Sequence, residues 1–119
     1  MFPQSGYAIF RAGEWFLRID ASALGYLSMA PHGHPDALHI SVSYRGKPVI
    51  IDPGTGAYYA DKAIRSYLAG WSAHNSPQLR EHPEEFPRRH GIFLWGGSHA
   101  GPTLRLANQE TLIAEIALP

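Results

Sequence analysis

Two short alternating runs joined by a tight turn constrain this chain most. Over residues 38–44, Leu38, Ile40, Val42 and Tyr44 share one face, and His39, Ser41 and Ser43 share the other. Side chains alternate across a strand, so this pattern predicts a half-buried strand. Arg45-Gly46 supplies the turn, and Pro48-Val49-Ile50-Ile51-Asp52 returns as a second strand that ends at Pro53-Gly54. Aromatic and β-branched residues at 7–11 and 14–20 flank Ala12-Gly13 and predict another hairpin. Residues 92–95, 103–107 and 111–118 are further strand candidates, with Asn108-Gln109 as a turn. Residues 21–36 and the proline- and charge-rich stretch 76–90 read as loops. Asp61 is a candidate N-cap for one or two helical turns reaching Leu68, with apolar positions at 64, 67 and 68. These elements predict an all-β domain over residues 1–119, mainly an antiparallel sheet or sandwich, with one or two short helices.

Composition narrows the function classes. A chain of 119 residues suits one domain with a modest core. Its formal net charge is zero, which argues against nucleic acid as a partner. Arg88-Arg89-His90 is the one candidate positive patch, and three such residues are read as a solvated turn. Cysteine is absent, so any metal must be held by His, Asp, Glu or water. This usage fits the cytosol and an exported bacterial protein equally. No apolar run approaches the roughly 18 residues of a membrane span. Met1-Phe2-Pro3-Gln4 lacks the basic start and apolar core of a signal peptide.

The chemistry concentrates in three places: His32-Gly33-His34-Pro35-Asp36, Asp52 with its Pro53-Gly54-Thr55-Gly56 turn, and His74-Asn75. In an extended segment His32 and His34 would project to one side, with Gly33 leaving room to bend. Two such imidazoles can share a metal, or one can bind it while the other moves a proton. The hairpin turn at Arg45-Gly46 brings Asp52 back near His34 at the open end. His74 could complete a set of two histidines and one aspartate suited to a cation such as zinc. Taken singly, Asp52 reads as the cap of its turn and His74 as a satisfied surface histidine. A small cupin-type site is an alternative, with His32, His34 and His74 around iron. Asp36 and Ala37 stand where that pattern expects a glutamate.

Several segments occur here in a fixed order: Phe2-Pro-Gln-Ser-Gly-Tyr7, the aromatic hairpin, His32-Gly-His-Pro-Asp-Ala-Leu38, Gly46-Lys-Pro-Val-Ile-Ile-Asp-Pro-Gly-Thr55, and Tyr67 followed by Ala73-His-Asn75. This set resembles the β-sheet domain of the heparinase II/III-like polysaccharide lyases, from residue 2 to about residue 95. The resemblance implies an antiparallel β-sandwich that normally follows an α/α toroid. It implies β-elimination on an acidic, uronic-acid-containing polysaccharide held between the two parts. Carried over residue by residue, His32 matches a catalytic-site histidine, and His34, Asp52 and His74 match the ligands of a structural Zn2+. Tyr58 and Tyr59 follow the Asp-Pro-Gly-Thr turn and are weaker catalytic candidates, with burial in a core as the plainer role.

The chain departs from that pattern because it carries no run of helical repeats. It is therefore expected to be a fragment, a pseudogene-like product or a stand-alone accessory domain, inactive or nearly so without the toroid. An exposed toroid-facing surface would favour self-association. A full-length parent would be periplasmic or secreted. A non-catalytic carbohydrate-binding or scaffold domain is the other reading, given three Trp and six Tyr available for sugar stacking.

Overall fold

The computed structural model describes residues 1–2, 4–25, 27, 29–78, 87–96, 101–106, 108 and 111–116. Over these residues the fold is antiparallel. The main sheet is a four-stranded meander, β1 (Tyr7–Ala12), β2 (Trp15–Asp20), β3 (His39–Tyr44) and β4 (Lys47–Ile50), ordered as in sequence. Two further hairpins pair β5 (Arg88–His90) with β6 (Leu94–Gly96), and β7 (Thr103–Leu106) with β8 (Leu112–Glu115). One helix, α1 (Lys62–Leu68), precedes a 3-10 turn over Trp71–Ala73. No described helix is long and apolar enough to cross a membrane.

The turns explain the sheet. Arg45 and Gly46 both take positive φ, 51° and 72°. That is the geometry of a two-residue turn whose twist matches the strands it joins. Gly13, at φ 59°, opens the corresponding turn between β1 and β2. Glu14 and Arg45 then tie the two tips together through a 2.6 Å ion pair. Both tips lie at one end of the sheet. The other end is open, and there Asp20 of β2 stands opposite His39 of β3. The connection from β2 to β3, residues 21–38, leaves from that open end and carries His32, His34 and Asp36.

Several sequence expectations shift. β4 stops at Ile50, and its register breaks between Val42 and Ser43. Asp52 therefore lies just beyond the strand. The face expected to be buried in residues 38–44 is reversed at its start, where His39 is buried and Ile40 is not. The cause is local. β4 does not reach Ile40, and the Asn75 side chain takes its place, with Oδ1 accepting from Ile40 N–H and Nδ2 donating to Ile40 C=O, both at 2.8 Å.

Helix α1 is capped as expected, since the Asp61 carboxylate accepts from the N–H groups of Ala63 and Ile64. Its buried residue, however, is Arg65, whereas Ile64 and Tyr67 are exposed. Arg65 is turned inward because it finds partners there, described below. Arg88–His90 is strand rather than turn. Arg89 spends its guanidinium on the carbonyls of Ser66, Gly91 and Ile92, which fixes β5 against the end of α1. Residues 91–93 form the turn of that hairpin, so the strand expected at 92–95 begins only at Leu94. The middle of the 76–90 loop (79–86), Ala107, Gln109 and the end of the last expected strand (117–118) lie outside the described residues.

Candidate metal centre and histidine shelf

Three side chains that are far apart in sequence converge at the open end of the sheet. Ligand atoms of His34, Asp52 and His74 all lie within 4.8 Å of one another. Each arrives by a different route. His34 comes from the β2–β3 connection, Asp52 from just past β4, and His74 from the end of the 3-10 turn. Asp52 does cap its turn, with Oδ1 accepting from Gly54 N–H at 2.8 Å, and the same oxygen faces His74. His74 is not a surface histidine, because its side chain is fully buried.

The tautomer of His74 follows from its neighbours. Its Nδ1 lies 2.9 Å from the Gly70 carbonyl, which can only accept, so Nδ1 donates. In the neutral ring Nε2 then presents a bare lone pair toward Asp52 Oδ1, 3.7 Å away. That separation is too long for a hydrogen bond, and Nε2 is buried with no partner. A buried, unpartnered Nε2 beside a carboxylate is a place that favours positive charge, either a proton or a metal cation. An imidazole that donates its other N–H to a backbone carbonyl is the usual posture of a metal ligand. The donor set, two imidazoles and a carboxylate, suits zinc. On these grounds the residues fit a metal.

With no cation present, the electrostatics favour a charged His74–Asp52 pair, so a metal would take the place of a proton. The facing His74 imidazole, together with the Gly54 N–H and against the opposing effect of burial, holds the Asp52 carboxyl well below the usual carboxylate range. Burial disfavours the charged form of His74, but Asp52 and the Gly70 carbonyl outweigh it and raise the pKa. Burial, the charge of His74 and that of Arg65 lower His34 to about 4, so it is neutral near pH 7. Arg18 stands 3.7 Å from the second Asp52 oxygen.

Two residues at this site were not marked by the sequence reading. His39 is 1% exposed, and its ring meets that of His74 edge-on at 5.6 Å. Its Nδ1 accepts from the Asn75 N–H at 3.4 Å, and its Nε2 has no partner. Arg65, also 1% exposed, donates from Nη1 to Nε2 of His34 at 3.1 Å. The available signal for His39 was its place on the polar face of β3, opposite an aspartate. Arg65 gave none, since its partner lies 31 positions away.

His32 and His34 do not project to one side. His32 adopts φ 60°, a left-handed conformation unusual for a residue with a side chain. The bend therefore sits at His32, not at Gly33. Gly33 serves close approach instead, because a Cβ there would run into the Leu24 carbonyl. The segment is pinned from β6 and its turn: His32 N–H donates to Phe93 C=O at 2.8 Å, and the Trp95 indole donates to Gly33 C=O at 2.7 Å.

His34 thus points inward while His32 faces a shelf of rings. Its centroid lies 5.1 Å from Phe93 and 5.7 Å from Tyr58. Tyr59 meets Phe93 edge-on at 5.3 Å. Tyr58 and Tyr59 are exposed, at 51% and 75%, so the expectation that they fill a core is overturned. At the surface, Tyr58 packs against His32, Phe93 and Arg65, and Tyr59 against Phe93. The cupin-type set does not assemble either. Among the described residues the cluster holds His34 and His74 with Asp52, and His32 is outside it.

Residues 1–115 match the family described as Heparinase II/III-like, C-terminal. No curated protein and no solved structure is significantly similar to the chain. The match spans nearly the whole sequence and includes every element that builds the triad and the shelf, so the chain belongs to the heparinase II/III-like family as its C-terminal domain.

Proposed function

We propose that this chain is the β-sheet part of a polysaccharide lyase that works by β-elimination on a uronic-acid-containing chain. The observation that carries this reading is the division of labour within His32-Gly33-His34. One imidazole is buried in a three-residue cluster that could hold a metal, and the other stands on an exposed aromatic shelf two residues earlier in the chain. β-Elimination removes the proton α to a uronate carboxylate and expels the glycosidic oxygen from the next carbon. The carboxylate must be neutralised so that the developing enolate-like charge is tolerated. A base takes the proton, and an acid serves the leaving oxygen. His32 is exposed, its backbone N–H is held by the Phe93 carbonyl, and an imidazole can either accept or donate a proton. It is the residue assigned to accept the proton or to neutralise the carboxylate. Tyr58 and Tyr59 offer ring faces for sugar stacking and hydroxyls for the leaving oxygen.

His34, Asp52 and His74 would hold Zn2+. The ion would supply a fixed positive centre that locks the β2–β3 connection to the loop after β4. Its role is structural, and the proton chemistry belongs to His32. The other wall of the cleft would be an α/α toroid lying outside these residues. Half a cleft cannot orient a sugar, and orientation supplies much of a lyase's rate. The isolated chain is therefore expected to be inactive or nearly so. Exposed apolar residues along β4 support self-association or contact with that toroid. A parent protein acting on such polysaccharides would work in the periplasm or outside the cell.

A second reading has its own support in the exposure of Tyr58 and Tyr59: a non-catalytic domain that binds carbohydrate. Two measurements test these readings together. Elemental analysis of the purified chain is expected to give one zinc per chain, and iron in its place would sink the zinc assignment. Incubation with uronic polysaccharides is expected to give no rise in ultraviolet absorbance from unsaturated product. A rise that disappears in His32→Ala would establish activity in the chain alone. Retention of polysaccharide with no elimination even beside a toroid would favour the binding domain.

A further inference from the structure

Arg65 is a buried cation with no carboxylate partner among the described residues. Three contacts hold its guanidinium among the described residues. Nη1 donates to Nε2 of His34 at 3.1 Å, the Phe93 ring centroid is 5.5 Å away, and the Tyr58 centroid is 5.7 Å away. Its Nε is buried and finds no acceptor. A guanidinium carries N–H donors only and keeps its charge. The contact with His34 therefore uses the lone pair of Nε2, and the proton of that neutral ring sits on Nδ1.

A metal ligated by Nε2 of His34 needs that same lone pair. A metal ligated by Nδ1 would move the ring proton to Nε2, where it would face an Arg65 N–H. Both routes break the Arg65–His34 hydrogen bond, and both bring a dication toward a buried guanidinium. The geometry points to Arg65 and the metal as competitors for His34, so that loading the triad releases Arg65 and resets the rings that carry His32. Arg65 is thus a positioning residue joining the metal centre to the shelf. The rings it keeps on release, Tyr58 and Phe93, are the two that His32 touches. This inference rests on the reading of His34, Asp52 and His74 as metal ligands.

The test is a zinc titration of the chain and of Arg65→Met against a chromophoric chelator. Removing a hydrogen bond that zinc must break is expected to tighten zinc binding by about tenfold or more. In the unsubstituted chain, zinc is also expected to shift the Arg65 Nε–H signal in nitrogen-15 NMR spectra, together with ring signals of Tyr58 and Phe93. Equal or weaker zinc binding by folded Arg65→Met overturns the competition while leaving the metal centre standing. Should that variant not fold, an Arg65 signal unmoved at zinc saturation overturns it. No zinc binding by either protein removes the metal centre and this inference with it.

Discussion

At the open end of the main sheet, His34, His39, Arg65 and His74 are buried. Along β4 and the residue after it, Val49, Ile50 and Ile51 stand in solvent, Val49 at 58% and Ile51 at 60%. Hydropathy would place these two groups the other way round. Burying an imidazole or a guanidinium is costly unless it is partnered, and at this end the partners are specific: a backbone carbonyl for His74, a lone pair for Arg65, an amide N–H for His39. The Nε2 atoms of His39 and His74 and the Nε of Arg65 remain incomplete, and that of His74 faces the Asp52 carboxylate. The outer strand has no such demands. Its side chains are free to be apolar, and nothing among the described residues covers them. Burial in this domain therefore follows the assembly of a site more closely than it follows the character of the side chains.

The largest test of this contrast is removal of a triad member. His74→Ala or Asp52→Ala is expected to abolish metal retention and to lower unfolding free energy by about 3 kcal/mol, because each leaves a buried charged or polar partner uncompensated. Metal content and urea unfolding check this, and unchanged metal content would break the assignment.

Asp36 sharpens the contrast by pH. Burial, helped by the nearby charge of Asp20, raises its carboxyl to about 7. A folded-state pKa raised above the ordinary value means that the protonated form's contribution is complete below about pH 4 and is lost as pH rises through about 7. Asp36→Asn keeps a neutral side chain at every pH. The variant is expected to match the parent near pH 4 and to exceed it by about 2 kcal/mol near pH 8, with metal chelated in both. Equal urea midpoints at the higher pH would show that this carboxyl behaves as a surface group. The smallest effect belongs to the outer strand. Ile51→Thr is expected to change stability by no more than about 0.5 kcal/mol, and a larger loss would mean that β4 is covered in solution.

Much of this organisation was legible because it is local or symmetric about a turn. The alternation of residues 38–44 and the Arg45-Gly46 turn place Asp52 near His34 without any tertiary information. Asp61 announces its helix through a cap that needs only the next three residues. What stayed hidden depends on distant partners. An arginine between Ile64 and Ser66 reads as a solvated position, and only His34 and the rings of Tyr58 and Phe93 draw it inside. The left-handed backbone at His32 was equally invisible, because it is imposed by the Phe93 carbonyl across the loop and not by a glycine. The ordered motifs set His32 and His34 apart, and the backbone conformation turns their rings into different surroundings.

The hydrogen bond from the Trp95 indole to Gly33 makes the His-Gly-His loop optically readable. Trp95 is buried, with the Arg89 guanidinium 5.3 Å from its ring centroid, while Trp15 is half exposed beside the far turns. Burial and a charged neighbour set Trp95 apart from Trp15, and half-buried Trp71 in the 3-10 turn is the third indole. The chain thus carries its own fluorophore at the joint between the His34–Asp52–His74 cluster and the shelf, and with Trp71 replaced by Phe, loop displacement there can be followed by its colour without attaching a dye.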